Sequence, residues 1–447
     1  MHFNMLPNDI SLPIPTWGLD SVLMPVFLIL LVVGFVVHIV FINVLLGSSL
    51  ASVYYNRKGA IEKNPVYDRV AYLLTTPVTV SENMGALWGV APLLLVSVLF
   101  TPLFYAAAIM NSPQWLHIIY GNIAAFLFSY LYKFTWHKLE NRKPLHILIG
   151  TASVALFFTL PLVFMSTVQL YWTPTTWTYN TRFWDALLRP DTFFRLVHFF
   201  LAAFAVTGLF MMLYGKHKQK SADKTDAEAG TILLRTGKSW FALPTVLNLF
   251  AGPLALFQMP SYGIEAFFNA GYHWLIVVSV VISLISLYLV VKDFMDDNVS
   301  SKRVWTVVGL MAVTVLSMAT LRHGMRMSLI GPALAQAKAQ SEQFQKESYE
   351  ARTAPKPEPI AVAAAAPIGR QLAEKNGCLA CHTEDKRLVG PAYKDVAAKG
   401  YTADKILALV RQPVPANWPG YETPMPPQPQ VPEADVRQIA DWINSLK

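Results

Sequence analysis

The stretch Cys378-Leu379-Ala380-Cys381-His382 decides the fold of the C-terminal part of this chain. Two thiols three positions apart, followed at once by a histidine, form the pattern to which haem is attached covalently: the thiols bond the porphyrin and the histidine ligates the iron. The chain has 447 residues and 2 cysteines. A disulfide or half of a zinc site are the alternatives, but no second pair of ligands is present for zinc. The motif therefore predicts one c-type haem, on the side of the membrane outside the cytoplasm, where covalent attachment takes place.

Composition places most of the remaining chain in a lipid bilayer. Hydrophobic residues make up 54% of the chain and charged residues 14%, which is too apolar for a soluble protein of this length. The net charge of +8 would fit nucleic-acid binding. However, the basic residues concentrate in loops between apolar runs, as membrane topology requires, so no nucleic-acid partner is expected. Residues 1–20 have no basic start and no small-residue cleavage site, so we expect a periplasmic N-terminal segment and a retained first span.

Eight apolar runs are each long enough for a helix of about 20 residues across the hydrocarbon layer. The predicted fold class is all-α, with an eight-transmembrane helical bundle over residues 21–330 and a small helical haem domain after it. The runs lie near 21–51, 86–110, 117–135, 146–170, 194–214, 240–260, 271–291 and 304–327.

Loop charge predicts the orientation of this bundle. The loops after runs two, four and six carry only Arg182, Arg189 and Arg195. The loops after runs one, three, five and seven carry 17 basic residues, namely Arg57, Lys58, Lys63, Arg69, Lys133, Lys138, Arg142, Lys143, Lys216, Lys218, Lys220, Lys224, Arg235, Lys238, Lys292, Lys302 and Arg303. Because positively charged loops remain in the cytoplasm, both termini are expected in the periplasm of a bacterial inner membrane. The haem motif predicts the same side for the C-terminus.

The C-terminal part divides into a linker over residues 331–367, rich in alanine and proline, and a haem domain over residues 368–447. The haem motif, a final amphipathic helix from Glu433 and the loop Pro424-Met425-Pro426-Pro427 resemble the class I monohaem cytochromes c of the small bacterial c551 type. The resemblance implies Met425 as the sixth ligand of the iron. The alternative is that Met425 only fills a loop.

Five histidines lie in or at the ends of the apolar runs. With the predicted topology, most of them cluster toward the outer face. Each alone could be a packing detail, but burying several imidazoles costs free energy unless each has a partner. Iron is a partner that facing helices can share. The five are His38, His117, His198, His273 and His323.

Two of these histidines lie in segments that resemble a known family. The run from His38 to Ala51 is similar to the first-helix ligand segment of subunit I of cytochrome bd quinol oxidases, and Val197-His198 through Gly208 is similar to the fifth-helix segment. The resemblance implies His198 as a ligand of a haem b. The position of the family's partner ligand falls at His273, which predicts a bis-histidine haem b. His38 and His323, with His117 as a further candidate, are expected to hold a second haem b, and a third haem b is an alternative.

The chain also departs from that family. None of the eight runs contains an aspartate or glutamate, and Arg322-His323 stands where the family has a glutamate of its oxygen site. We therefore expect electron transfer without oxygen chemistry. The family's long quinol-binding loop is replaced by the short connection 259–270, in which Glu265, Ser261 and Tyr262 are the candidate quinol site; a plain periplasmic turn is the alternative.

These observations predict a membrane-bound cytochrome of mixed b and c type, one subunit of a respiratory complex. It would pass electrons from the quinone pool through haems b to the tethered haem c and on to a periplasmic partner, as in a quinol:cytochrome c oxidoreductase. One alternative is an oxygen-reducing enzyme of the bd type with a fused cytochrome c. The other is a membrane anchor whose haem c alone is redox-active.

Overall fold

The computed structural model describes residues 23–178, 181–295, 300–353, 366–421 and 423–447. All regular secondary structure in these residues is helical, which confirms the all-α prediction. Residues 1–20, for which a periplasmic segment was predicted, lie outside the described part. The chain forms two compact units, Met1–Glu347 and Ser348–Lys447, and the division falls inside one long helix.

Eleven α-helices of the described residues begin in the first unit. The longest of them, α11, covers the predicted last span and continues through residues 331–353, while the proline-rich residues 354–365 lie outside the described part. The helices are α1 (Leu23–Glu62), α2 (Pro65–Leu99), α3 (Thr101–Met110), α4 (Ser112–Phe134), α5 (Lys143–Trp172), α6 (Phe183–Leu187), α7 (Pro190–Lys218), α8 (Lys224–Phe257), α9 (Ser261–Asn269), α10 (His273–Met295) and α11 (Ser301–Thr353).

Seven helices of the described residues are long and apolar enough to cross a membrane, namely α1, α2, α5, α7, α8, α10 and α11. The protein is therefore a multi-pass membrane protein. The predicted count of eight is not confirmed, because the run 117–135 lies in α4, which is not among the seven.

The second predicted run, 86–110, does not form one helix. It breaks at Phe100, which separates α2 from α3, and α2 begins much earlier, at Pro65. Asn64 caps this start by accepting a hydrogen bond from the backbone N–H of Val66 at 2.9 Å. The early part of α2 carries polar and charged side chains that lower its hydropathy, so an apolar window does not find it.

The longer α2 corrects the expectation that the spans contain no acidic residue. Glu82 lies inside this helix and is 1% exposed. Its carboxylate accepts a hydrogen bond from the hydroxyl of Ser129 on α4. A carboxyl group buried among membrane helices is costly unless it is paired or hydrogen-bonded, so the hydrogen bond from α4 is what accommodates it.

Glycines bring α7 and α8 into backbone contact. A Cβ on Gly237 would lie 2.6 Å from the carbonyl oxygen of Gly208, and a Cβ on Gly215 would lie 2.6 Å from that of Gly230. Small residues at such crossings allow the close van der Waals packing on which association inside a bilayer depends. This places α7, which carries His198, at a fixed distance from α8.

The second unit begins within the last turns of α11 and consists mainly of a small helical domain. It contains α12 (Ile368–Lys375), α13 (Tyr393–Ala398), α14 (Ala403–Arg411) and α15 (Glu433–Asn444). Its core joins the first and last of these helices: Gly369 of α12 packs so closely on Trp442 of α15 that no side chain fits between them. The haem motif follows α12 directly.

Candidate haem sites

The C-terminal motif forms a single tight turn. Cys378–Ala380 is a 3-10 turn that follows Gly377, whose φ of 72° is in the left-handed region. Glycine adopts this conformation without steric cost, so the chain can reverse direction between α12 and the motif. Both cysteines are free, with Cys378 half-buried and Cys381 exposed. Burial raises the pKa of the Cys378 thiol.

The ring of His382 is held in one orientation. Its Nδ1 lies 2.8 Å from the carbonyl oxygen of Pro391, to which it donates, so Nε2 keeps its lone pair for a metal. One face of the ring stacks on Tyr393 with 5.1 Å between centroids, and Tyr393 in turn packs edge-on against Trp442. Two free thiols and an imidazole in this state fit a covalently attached haem.

Met425 lies in the extended segment before α15 and is 39% exposed. The segment is fastened at its base by Arg411 of α14, which donates to the carbonyl oxygens of Pro429 and Val431. The backbone N–H of Gln428 also donates to Val410. Met425 is thus outside the polypeptide core, on a loop that is fixed at its base. This placement fits its predicted role as the sixth ligand of the iron. The sequence offers no local signal for the role of Arg411.

His38 on α1 is oriented by α2. Its Nδ1 lies 2.7 Å from the carbonyl oxygen of Gly85, and a Cβ on Gly89 would lie 2.8 Å from the same ring. The ring therefore fits against α2 because position 89 is a glycine, while residue 85 contributes only its backbone carbonyl. With Nδ1 bound to a carbonyl, Nε2 has its lone pair free, as in histidines that ligate metals.

His198 and His273 share a different property. The Nδ1 atom of each is buried and has no hydrogen-bond partner within the described residues, although the side chain of Asn248 on α8 interacts with the ring of His198. His198 lies against Gly252 of α8, with Nδ1 3.3 Å from where a Cβ would stand, and His273 begins α10 with its ring stacked on Phe268 at 5.3 Å. Since α8 packs against both α7 and α10, one helix adjoins the helices of both histidines.

The other two predicted ligands have polypeptide partners. Nε2 of His117 lies 2.7 Å from the hydroxyl of Thr159, and that hydroxyl itself donates to the carbonyl of Leu156. Nδ1 of His323 accepts from the guanidinium of Arg326, which leaves the ring hydrogen on Nε2. In these arrangements neither ring presents a free Nε2 lone pair, so ligation by His117 or His323 would require the contact to change.

His146, near the start of α5, is a buried structural histidine with a contact at each nitrogen. Its Nδ1 accepts from the amide of Asn56 at 3.1 Å, and its Nε2 donates at 2.8 Å to the carbonyl of Tyr132 in the last turn of α4. The ring thus caps a helix end whose carbonyls lack intrahelical partners.

The three candidate quinol residues lie on a short helix rather than a plain turn. Ser261, Tyr262 and Glu265 are exposed on α9, while Gly263 and Phe267 form its buried face. Residues four apart on a helix are neighbours, so Ser261 and Glu265 share one side of α9.

The C-terminal domain is similar to known haem proteins. The family model "Cytochrome c" matches residues 366–447. Cytochrome c-551 from Allochromatium vinosum is 43% identical over 79 residues, which cover 17% of this chain and 82% of that protein. Cytochrome c-552 from Nitrosomonas europaea is 39% identical over 90 residues, covering 20% of this chain and 87% of that protein. These relatives confirm the predicted resemblance of the domain.

The membrane unit is similar in fold to a solved membrane enzyme. The structure of bd oxidase from Geobacillus thermodenitrificans superposes with a TM-score of 0.55 and 13% sequence identity, covering 74% of this chain and 96% of that chain. At this identity the similarity shows the fold alone. It confirms the predicted bd-like architecture of the helical part.

Proposed function

Because its residues 366–447 make this chain a member of the cytochrome c family, we propose that it transfers electrons between haems b in its membrane unit and the haem c of its C-terminal domain. Haem, when bound, supplies one-electron redox chemistry. The family membership implies a covalent haem c at Cys378, Cys381 and His382, with Met425 as the sixth ligand. The membrane haems rest on the arguments below.

The observation that supports the haems b best is the state of the imidazoles of His198 and His273. A buried imidazole nitrogen without a partner costs free energy inside a membrane. Each ring would ligate the iron of a haem bound between α7 and α10. The helix α8 adjoins both of these helices. His38, held through Nδ1 by the carbonyl of Gly85, is ready to ligate a second haem b.

The route that fits these sites begins at the quinone pool. Oxidation of a quinol to a quinone releases two electrons and two protons, so the site needs a base, and the exposed carboxylate of Glu265 beside Ser261 and Tyr262 is suited to accept a proton. The electrons would pass to the haem of His198 and His273, then to haem c, and then to a periplasmic partner. The chain would act as one subunit of a respiratory complex in the bacterial inner membrane.

Haem quantitation on the purified full-length chain tests this function. The pyridine haemochrome spectrum should show at least two haems b for each haem c. His198→Ala and His273→Ala should each abolish one low-spin b signal while haem c is retained. His146→Ala is the control, because the polypeptide contacts both nitrogens of that ring. A wild-type chain with haem c and no haem b would instead be the membrane anchor.

A second function, oxygen reduction of the bd type, is favoured by one observation. Glu82 on α2 is a buried carboxyl group in the membrane unit. It lies outside the apolar runs predicted from the sequence, none of which contains an acidic residue. Oxygen reduction consumes protons, which such a group could carry. An enzyme of this type needs an open iron site, so the reduced protein would bind carbon monoxide with a change in its spectrum. We expect no such change at the haem of His198 and His273, because two histidines would close both axial positions of its iron.

A further inference from the structure

Two buried arginines and one half-buried arginine lie at the end of the membrane unit where α5 finishes and α7 begins. Arg195 of α7 is 9% exposed and Arg326 of α11 is 3% exposed, while Arg322 of α11 is half-buried between helices. Trp172, the last residue of α5, is 2% exposed and lies against Arg195 and Arg322, whereas Arg326 lies over Phe100. Arginine in a membrane bundle is costly without a partner and marks a functional site.

Two of these guanidinium groups lie on the same indole ring. The Cζ of Arg195 is 4.5 Å from the centroid of Trp172, and the Cζ of Arg322 is 5.3 Å from it. Arg322 also lies 4.7 Å from the ring of Phe35 on α1. The aromatic faces attract each cation, but they do not remove the repulsion between two positive charges held on one side chain.

The polypeptide supplies little compensation for this charge. Nε and Nη2 of Arg195 and Nε1 of Trp172 are buried without hydrogen-bond partners among the described residues. The neighbouring carboxylate, Asp191, is occupied: it pairs with Arg189 at 3.1 Å and accepts a hydrogen bond from Gln169. Within the described ranges, no salt bridge reaches Arg195 or Arg322. The cluster therefore has both the charge and the free N–H donors to bind an anion with several oxygens.

The arginines lie beside the candidate haem ligands on each helix. Arg195 precedes His198 by three residues on α7, Phe35 precedes His38 by three on α1, and Arg322 is adjacent to His323 on α11. Residues three apart on a helix share a face. An anion bound by Arg195 would thus lie about one helical turn from the ring of His198, and haem b carries two carboxylates on one edge of its ring.

We propose that Arg195 and Arg322, on either side of Trp172, bind the propionate carboxylates of a haem b in the membrane unit. This rests on the proposed function, which supplies the haem. Bidentate guanidinium-to-carboxylate pairs would satisfy the free donors of Arg195 and cancel the surplus charge. Cations at this position would also stabilise the reduced haem, because reduction adds a negative charge.

The experiment uses full-length protein that carries haem labelled with ¹³C at the propionate carboxyl groups. Redox-difference infrared spectra and the midpoint potential of each haem b are measured across pH for wild type, Arg195→Gln and Arg322→Gln. We expect each variant to shift the labelled carboxylate band, to lower the potential of one haem b, and to make that potential vary with pH, since an unpaired propionate can take up a proton. Arg182→Gln is the matched control, because it removes an exposed arginine from the connection between α5 and α7.

The outcomes separate this proposal from the function on which it rests. Absence of haem b from the wild-type chain overturns both. The arginine assignment alone is overturned if haem b is present and its labelled band and midpoint potential are the same in both glutamine variants as in Arg182→Gln. A potential that follows chloride concentration, with an unmoved carboxylate band, would show that a free anion occupies the cluster and would also overturn it.

Charge-preserving variants decide the case in which a glutamine variant fails to assemble haem b. Recovery of haem b in Arg195→Lys and Arg322→Lys supports the proposal, because lysine can still neutralise a carboxylate. Continued loss of haem b in both lysine variants, with haem c content unchanged, contradicts it.

Discussion

Gly390 lies directly against the imidazole of His382, since a Cβ at position 390 would lie 2.8 Å from Nδ1 and 2.9 Å from Nε2 of that ring. The hydrogen bond from His382 to Pro391, one residue further on, fixes the same ring. Gly390 and Pro391 together therefore set where the imidazole of His382, the predicted iron ligand, points.

Gly390→Ala should displace His382 and weaken its bond to the iron. Overpacking of this kind costs about 1–3 kcal/mol. The expected result is a lower thermal stability of the haem c domain and a change in the absorption spectrum of haem c, both measured on the full-length protein. Gly331→Ala is the control, because a Cβ there meets open space. An unchanged haem c spectrum in Gly390→Ala would show that the ring has room to move.

Met425→Ala should lower the midpoint potential of haem c, because methionine as the sixth ligand raises the potential relative to other ligands. The charge-transfer band of the methionine-to-iron bond should disappear from the optical spectrum. Val414→Ala, which shortens another exposed apolar side chain of the same domain, should leave both unchanged. Retention of the band in Met425→Ala would mean that another residue ligates the iron.

His146→Ala should destabilise the membrane unit without loss of haem b. It leaves the amide of Asn56 and the carbonyl of Tyr132 without their partner and opens a cavity, at a cost of about 2–3 kcal/mol. Thermal unfolding in detergent measures the stability, and the pyridine haemochrome spectrum measures haem b. Loss of a haem b signal from a protein that is still folded would assign His146 as a ligand, against this expectation.

Ser129→Ala removes the donor to the buried carboxyl group of Glu82 and should cost about 1–3 kcal/mol, the usual penalty for an unsatisfied buried polar group. Ser97→Ala is matched to it, because Ser97 is also buried but its hydroxyl only contacts the backbone of its own helix. Thermal unfolding of the two variants should show the larger effect at position 129. Equal effects would indicate that Glu82 does not depend on Ser129.

Gly208→Val should disrupt the packing of α7 on α8. A Cβ on Gly208 would lie against the backbone nitrogen of Phe241 and 2.7 Å from the carbonyl oxygen of Gly237, both on α8. We expect a loss of stability of about 1–3 kcal/mol and a loss of the haem b that we propose His198 of α7 to bind. Gly309→Val, at a position with nothing within 4 Å, is the control; a similar loss there would mean that any bulkier helix residue is harmful.

The sequence alone determined the features that depend on nearby residues. The motif from Cys378 to His382 identified the haem c site because attachment requires thiols and a histidine within one turn. Apolar runs identified the seven candidate membrane helices. The run at 117–135 lies in α4, which is not among the seven, and a hydropathy window does not resolve the break at Phe100. The histidines were recognised as candidates because polar groups are rare at such depth.

Tertiary structure decided which polar groups have partners. Glu82 and Ser129 are 47 residues apart, and His146 and Asn56 are 90 apart, so no local pattern shows that one carboxyl group is buried or that one histidine caps a helix. The same holds for Arg195 and Arg322, which lie on different helices and meet at Trp172 of a third. The free energy of a buried charge or imidazole depends on the atoms within a few ångströms of it. In a helical bundle those atoms come from segments that only the packing of the helices brings together.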